Sequence, residues 1–242
     1  MTDIQKLRDI VAVSNYIVFF GGAGVSTESG IPDFRSADGL YNMKYKYPPE
    51  TILSHSFFMQ NPEEFYAFYR EKLLYPDVKP NKAHYALAGL EKQGKLKAIV
   101  TQNVDGLHHT AGSINVLELH GSALRNYCMQ CNNVYPMEFI LTSTGIPRCS
   151  CNGIIRPDVV MFEEQLDPEI IDRAVRAIRN AKVLIVGGTS LNVYPAAGLV
   201  DYYSGDNLIL INKSETPYDR YANLVIHDSI GETLGRIIGE TQ

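Results

Sequence analysis

Positive charge is scarce in this 242-residue chain: 22 Lys and Arg face 27 Asp and Glu, for a formal net charge of −5. That balance argues against a duplex nucleic-acid binder driven by phosphate neutralisation, and leaves room for a cationic peptide substrate. Repeats and low-complexity tracts are lacking. With 45% apolar and 20% charged residues, the disordered, collagen-like and coiled-coil classes are excluded. No secretory signal is expected either, since the first ten residues are charged throughout and lack its apolar stretch. One uncharged run, 10–27, is about long enough to span a bilayer. Ser14 and Asn15 interrupt it and Gly21, Gly22 and Gly24 fill its second half, so it reads as a short buried strand entering a loop. The expected location is the cytoplasm, with no membrane association and no direct nucleic-acid binding. Cysteine is rare, and all four fall between Cys128 and Cys151, a distribution that suits a metal site better than a secreted disulfide framework.

Short β-rich runs alternate with segments of helical period, the pattern of a parallel sheet covered by helices. Strands are expected at 16–20, 96–101, 116–119, 183–186 and 208–212, with 224–226 a weaker sixth. Asn61-Pro62-Glu63-Glu64 offers an N-cap, a first-turn proline and a capping-box Glu, and Asp167-Pro168-Glu169 repeats that start ahead of a helix to about Asn180. Pro195 is expected to open another helix, through about Tyr203, with Gly205 closing it. Two segments break the alternation. Residues 31–61 carry Pro32, Pro48, Pro49 and several aromatics without a period, a long loop of the kind that is functional or mobile. Residues 122–155 hold the cysteines among Gly, Pro and Asn turns and read as an inserted module. The fold class is therefore α/β, a Rossmann-like parallel sheet with helices on both faces plus a small zinc-ribbon module. Its main domain is expected to be discontinuous (1–30, 78–121, 156–242), with 31–77 as a long loop and the helical part of a small domain and 122–155 as the inserted cysteine module.

Strand 16–20 runs directly into Gly21-Gly22-Ala23-Gly24-Val25-Ser26. Glycines after a strand let the backbone turn tightly and approach a pyrophosphate, whose charge is met by amides of the following helix. The third glycine of the dinucleotide fingerprint is missing, with Thr27 in its place, and a plain strand-to-helix turn is the alternative. A second site of the same kind follows strand 183–186: Gly187-Gly188-Thr189-Ser190, with Asn212 24 residues after Gly188, near where an acid usually holds a ribose. Cys128-x2-Cys131, 17 residues, then Cys149-x-Cys151 has the spacing of a four-thiolate Zn2+ site, with free core thiols or redox chemistry as the alternative. Four thiolates close the coordination shell, so one zinc per chain with a structural role is expected.

In order and spacing, Gly22-Ala23-Gly24-Val25-Ser26, Gly30-Ile31-Pro32-Asp33-Phe34-Arg35, Thr101-Gln102-Asn103-Val104-Asp105-Gly106-Leu107-His108, His120-Gly121, the cysteines and Gly188-Thr189-Ser190-Leu191 closely resemble the sirtuins, NAD-dependent protein lysine deacylases. The resemblance runs from about Tyr16 to Asp228. It implies NAD as a co-substrate, contacted by Gly22, Ala23, Gly24, Thr27, Asp33, Phe34, Arg35, Gln102, Asn103, Asp105, Gly188, Thr189, Ser190, Asn212 and Asp228. Each has a plainer alternative. Phe34 suits a core anchor, Arg35 an ion pair with Asp33, and Asn103 and Asp105 helix capping. By the same resemblance His120 is the general base and Asn103 positions ribose and a water. An imidazole near its ordinary pKa can take the proton of a ribose hydroxyl as the alkoxide forms. His55, His84, His108, His109 and His227 compete, and only the Leu-His-Gly context separates His120 from them.

The segment Ile155 to Glu164 resembles the sirtuin strand that pairs with substrate backbone, sandwiching an extended acetyl-lysine peptide against Asn192-Val193-Tyr194. Val160, Phe162, Glu163, Val193, Tyr194 and Tyr66 are the implied substrate-binding residues; a buried strand is the alternative for the first two. Two departures from the family stand out. A glycine usual after the Phe is Glu163, and Glu163 with Glu164 is expected to favour basic peptides. The Tyr-x-x-Arg pair of desuccinylating members is Tyr66 and Tyr69 here, with Arg70 about 100° away around a helix, so neutral acyl groups are expected. The implied reaction begins with attack of the acetyl oxygen on the anomeric carbon and release of nicotinamide. His120 then promotes attack by a ribose hydroxyl, and water completes the route to lysine and O-acetyl-ADP-ribose. An ADP-ribosyltransferase, a dehydrogenase and a non-enzymatic binding module are the rival readings. The chain is expected to act as a monomer.

Overall fold

The computed structural model describes residues 1–36, 39–42 and 45–238, so residues 37, 38, 43 and 44 of the expected 31–61 loop lie outside the described residues. In chain order the elements are α1 (Asp3–Val13), β1 (Ile17–Gly21), α2 (Pro49–Ile52), α3 (His55–Gln60), α4 (Pro62–Lys72), α5 (Lys82–Lys92), β2 (Leu96–Thr101), α6 (Leu107–Thr110), β3 (Val116–Glu118), β4 (Gly121–Cys128), β5 (Val134–Pro136), α7 (Met137–Thr142), β6 (Ile155–Val159), α8 (Pro168–Asn180), β7 (Val183–Gly187), β8 (Asn207–Ile211), β9 (Leu224–Ile226) and α9 (Ile230–Ile238).

Six strands form a parallel sheet in the order β3-β2-β1-β7-β8-β9. Alternation along each strand decides the layers. Ile17 and Phe19 face a core completed by α1, α5 and α9 through Leu7, Leu87 and Leu234. Val18 and Phe20 face the opposite core, completed by α8 and the segment after Pro195 through Ile178 and Leu199. All six expected strands form, with ends displaced by at most one residue. The helix expected from Pro195 is instead a 3-10 helix over Ala196–Tyr202, and it ends at an extended Tyr203 rather than at Gly205. The two Asx-Pro starts divide: Asp167 caps α8 by accepting from the Glu169 amide, whereas Asn61 makes no side-chain cap to α4.

A second sheet, β5-β4-β6, is antiparallel. Since β6 pairs with β4, residues 155–159 go with the cysteine module by hydrogen bonding, although the sequence reading assigns 156–159 to the larger domain. A third core joins this module to α2, α3 and α4: Phe57, Phe58, Phe65 and Tyr69 pack with Ile140, Ile155 and Met161. The segment read as an irregular loop therefore contains two short helices, with Ser54 capping α3 through the Phe57 amide.

Candidate active site

From β1 the chain proceeds to β2 and β3 on one side, and from β7 to β8 and β9 on the other. The order reverses between β1 and β7, and ligands of open α/β sheets bind in the crevice at that reversal, beyond the carboxyl ends of the strands. Gly21 and Gly187 pair in register at this edge, so both glycine-rich loops leave the sheet side by side. The Gly24 amide donates to the Gly188 carbonyl at 2.8 Å. A Cβ on Gly24 would lie 2.8 Å from the Gly188 Cα, and one on Gly188, whose φ is +58°, would lie 2.4 Å from the Val25 nitrogen. These glycines thus serve the packing of one loop on the other as well as any ligand above them. No α-helix starts after the first loop; it continues as 3-10 turns over Ala23–Val25 and Thr27–Ser29, with the Thr27 hydroxyl donating to the Gly24 carbonyl.

β2 delivers the next residues at the same edge. The Asn103 amide donates to Thr101 Oγ1 at 3.0 Å, and Asn103 Nδ2 donates to Ser26 Oγ at 3.1 Å. Ser26 Oγ donates in turn to Asp105 Oδ2 at 2.6 Å, while Asp105 Oδ1 accepts from the Leu107 amide at 2.9 Å. Asp105 therefore holds the first amide of α6, whose N-cap is Gly106, with one oxygen and faces the glycine loop with the other; Asn103 caps nothing. Burial pushes the Asp105 carboxyl up, and hydrogen bonds from Ser26, Leu107 and Asn103 oppose the shift. Among the described residues it has no cationic partner, so a ligand amide is a fitting donor for it. Gln102 Nε2 reaches across to Thr189 Oγ1 at 3.1 Å, joining β2 to the second glycine loop.

His120 follows β3 at the same edge. Its Nδ1 lies 2.9 Å from the Gln102 carbonyl oxygen. A carbonyl can only accept, so Nδ1 carries the proton and Nε2 presents a lone pair. Burial lowers its pKa, with the Gln102 carbonyl partly offsetting that, so the ring is neutral at pH 7 and able to take a proton. The other histidines are differently engaged. His55 bonds Glu164, His109 the Ser113 carbonyl and His227 the Asn212 carbonyl. His84 and His108 are buried, their ring centroids 4.8 Å apart.

Asp33 Oδ1 accepts from the Arg35 and Ser36 amides, at 3.0 and 2.7 Å. Arg35 does not pair with it; the guanidinium lies over the Tyr41 ring at 5.3 Å, and Phe34 meets the same ring edge-on. Asn212 and Asp228 stand at the ends of β8 and β9, where Asn212 Nδ2 donates to the Ser214 carbonyl and Asp228 Oδ1 accepts from the Ser229 amide. Ser190 is half-buried beside Thr189. Sequence reasoning left Ser26 out of the site, although it joins Asn103 to Asp105. Its signal was the serine that ends the first glycine loop.

Val160 donates its amide to the His120 carbonyl at 3.0 Å, which ties the peptide segment to the base. Phe162 has both main-chain groups engaged, donating to the Leu53 carbonyl and accepting from the His55 amide. Met161 and Glu164 bond each other. Among the described residues, the Val160 carbonyl and the main chain of Glu163 are left for an added strand. Val193 is half-buried and Tyr194 is 68% exposed. Tyr66 does not join them: it is fully buried in the third core, where its hydroxyl donates to the Ile155 carbonyl. Arg70 is likewise drawn away, to the Ile140 and Gly145 carbonyls. The idea that both acids favour basic peptides narrows, because Glu164 is paired with Arg156 and His55.

The four cysteine Sγ atoms lie within 4.8 Å of one another, with neighbours at 3.4 and 3.5 Å. A tetrahedral zinc with bonds of about 2.3 Å holds its sulfurs about 3.8 Å apart, so the donor set fits. The Tyr135 hydroxyl donates to Cys149 Sγ at 3.0 Å. β4 runs from Gly121, beside His120, to Cys128, roughly 20 Å at the usual rise per residue, so a metal here supports the fold and is remote from the base.

The Sir2 family model matches residues 22–195. An NAD-dependent protein deacetylase of Clostridium perfringens (strain 13 / Type A) is 62% identical, over 97% of this chain and 98% of its own. Among solved structures, a Sir2 variant with deacetylated p53 peptide and 3′-O-acetyl ADP-ribose superposes with TM-score 0.91 at 40% identity, covering 99% of each chain. A Sir2 homologue in complex with NAD gives 0.85 at 42% identity, over 97% of this chain and 92% of the other. Sequence, fold and the arrangement around His120 agree, and the chain belongs to the Sir2 family.

Proposed function

We infer that this chain is an NAD-dependent protein lysine deacetylase, converting acetyl-lysine, NAD and water to lysine, nicotinamide and O-acetyl-ADP-ribose. The observation that carries the reading is His120 with Nδ1 2.9 Å from the Gln102 carbonyl, which leaves Nε2 as the acceptor, at the same strand ends as the Ser26-Asn103-Asp105 cluster. NAD supplies the ADP-ribosyl group that accepts the acetyl. Gly22, Ala23, Gly24, Thr27, Gly188, Thr189 and Ser190 would hold it, and Asp105 would take the amide of its nicotinamide. Asn103, kept in place by Ser26 and Thr101, would orient its ribose, and Phe34 and Arg35 would contact it from the loop that follows Gly30. His120 Nε2 accepts the proton of a ribose hydroxyl. The acceptor peptide lies between the Val160–Glu163 segment and Val193–Tyr194.

No described helix is long and apolar enough to cross a membrane. We place the enzyme in the cytoplasm as a monomer acting on acetylated proteins, and the acid excess supports action without nucleic-acid binding. The test is incubation with an acetyl-lysine peptide library, with and without NAD, followed by mass spectrometry of peptides and nucleotides. Acetyl loss that requires NAD supports the reading. Mass added to a protein would point to ADP-ribosyl transfer, and NADH to a dehydrogenase. His120→Ala should keep NAD binding and lose deacetylation by about 10²–10⁴-fold; an active variant would remove His120 from its role.

A further inference from the structure

Glu163 has a backbone φ of +77°, in the left-handed region that residues with side chains rarely adopt. Its side chain is exposed and forms part of the walls of two open clefts, of about 510 and 350 Å³, so packing does not hold it in place. Hydrogen bonds do. Oε2 accepts from the Ser56 amide and Oε1 from the Ser56 hydroxyl, each at 2.9 Å. The neighbouring bonds follow the same path: the Phe162 amide to the Leu53 carbonyl, the His55 amide to the Phe162 carbonyl, and Glu164 to His55. Residues 53–56 therefore run along one edge of 162–164, and the side chain of Glu163 closes the far end. The opposite edge is the one left for a peptide.

We propose that Glu163 is a positioning residue for the peptide-binding segment: by clasping Ser56 at the start of α3, it fixes the main chain that pairs with substrate beside the acyl-lysine. This rests on the deacetylase reading. A residue that cannot relax to the usual extended backbone is kept in register by its own carboxylate, and the clasp takes over what a glycine at this position achieves through freedom of φ.

The experiment is steady-state kinetics of the full chain on one acetylated peptide, varying peptide and NAD in turn. Glu163→Ala should raise the peptide KM on the order of tenfold, the effect of losing a charged hydrogen-bond pair, with kcat and the NAD KM within about twofold. Glu163→Gln should stay near wild type, because its amide can accept from the Ser56 N–H and donate to the hydroxyl. Ser56→Ala should raise the peptide KM by less, and adding it to Glu163→Ala should cost nothing further. Glu163→Gly should be less impaired than Glu163→Ala, because glycine adopts a φ of +77° without a clasp. The clasp is refuted by an unchanged peptide KM in Glu163→Ala, by additive effects of the pair, by Glu163→Gly as impaired as Glu163→Ala, or by Glu163→Gln failing as badly as Ala, which would indicate attraction of a cationic substrate. Should Glu163→Ala not fold, the Gln, Gly and Ser56 variants decide alone. Wild-type enzyme that removes no acetyl group with NAD overturns the deacetylase reading itself, whereas an active wild type with unmoved peptide KM values overturns the clasp only.

Discussion

Replacing Glu164 by Gln should weaken the fold by roughly 3 kcal/mol. The carboxylate sits against Arg156, with Oε1 2.8 Å from Nη1 and Oε2 2.9 Å from Nη2, and it also accepts from the Met161 amide and faces His55. The side chains of Arg156 and Glu164 are only 11% and 20% exposed. These contacts outweigh burial and hold the Glu164 carboxyl at about 2, against 4.5 for the free group. A difference of about 2.5 units at 1.36 kcal/mol each is about 3 kcal/mol. The depressed carboxylate contributes this in full above pH 4.5 and loses it as pH falls through 2. An independent route agrees, since removing one partner of a buried pair leaves the other uncompensated at a cost of about 3–5 kcal/mol. In a chain of this length that is a fall in Tm of about 6–12 °C.

The assay is urea unfolding at pH 7 of wild type, Glu164→Gln, Arg156→Met and the double variant. The double should be less destabilised than the two singles sum to, because neither leaves a stranded charge in it. A Glu164→Gln loss below about 1 kcal/mol, or strict additivity, would refute the reasoning. The preference of the double variant between acidic and basic peptides should match that of wild type, since it removes both charges of a pair that is compensated inside the fold.

Three other outcomes are expected. Stripping zinc with a chelator should unfold the cysteine module and lower the Tm of the whole chain, because Cys128 and Cys149 lie in the same core as α3 and α4; circular dichroism with a zinc-release dye would detect both. Burial holds His84 at about 4 against 6.5 for the free imidazole, so the unfolded chain protonates first as pH falls. His84 alone should take about 3 kcal/mol of stability between pH 6.5 and 4; the adjacent His108, also lowered by burial, adds to the slope, and His84→Gln should make it shallower in urea titrations. Acetyl should leave a given peptide faster than succinyl, since Arg70 is held by the Ile140 and Gly145 carbonyls; equal rates from mass spectrometry would overturn this.

What sequence reasoning reached, and what it missed, divides by the range of the interactions. The strands of the large sheet are short, mostly apolar runs, and the residues at their carboxyl ends follow them within a few positions, so Gln102, Asn103, His120 and Gly188 were readable in place. The helices at Pro49–Ile52 and His55–Gln60 were not, because each is too short to display a period and its apolar residues face Ile155 and Met161, which arrive about a hundred positions later. The same distance hid the pairing of β6 with β4. Tyr66 was misplaced for a related reason: alignment to a motif says which turn of a helix a residue occupies, and packing against the cysteine module decides that its hydroxyl meets Ile155.

The acid excess shows the limit of counting charges. Around the groove, Glu164 is balanced by Arg156, and Glu118 and Asp158 both bond Arg125, leaving those carboxylates little field to offer a substrate. Glu163 has no ion-pair partner among the described residues, yet its oxygens are both turned to Ser56. Its hydrogen bonds hold the carboxylate below its ordinary pKa, with the Ser56 amide the largest cause, so it stays ionised at neutral pH and the clasp persists there. An acid where the family usually has glycine first suggests selection by charge. With Ser56 opposite it, the same residue is better understood as a hydrogen-bonded replacement for backbone freedom, and the two positions should be read together.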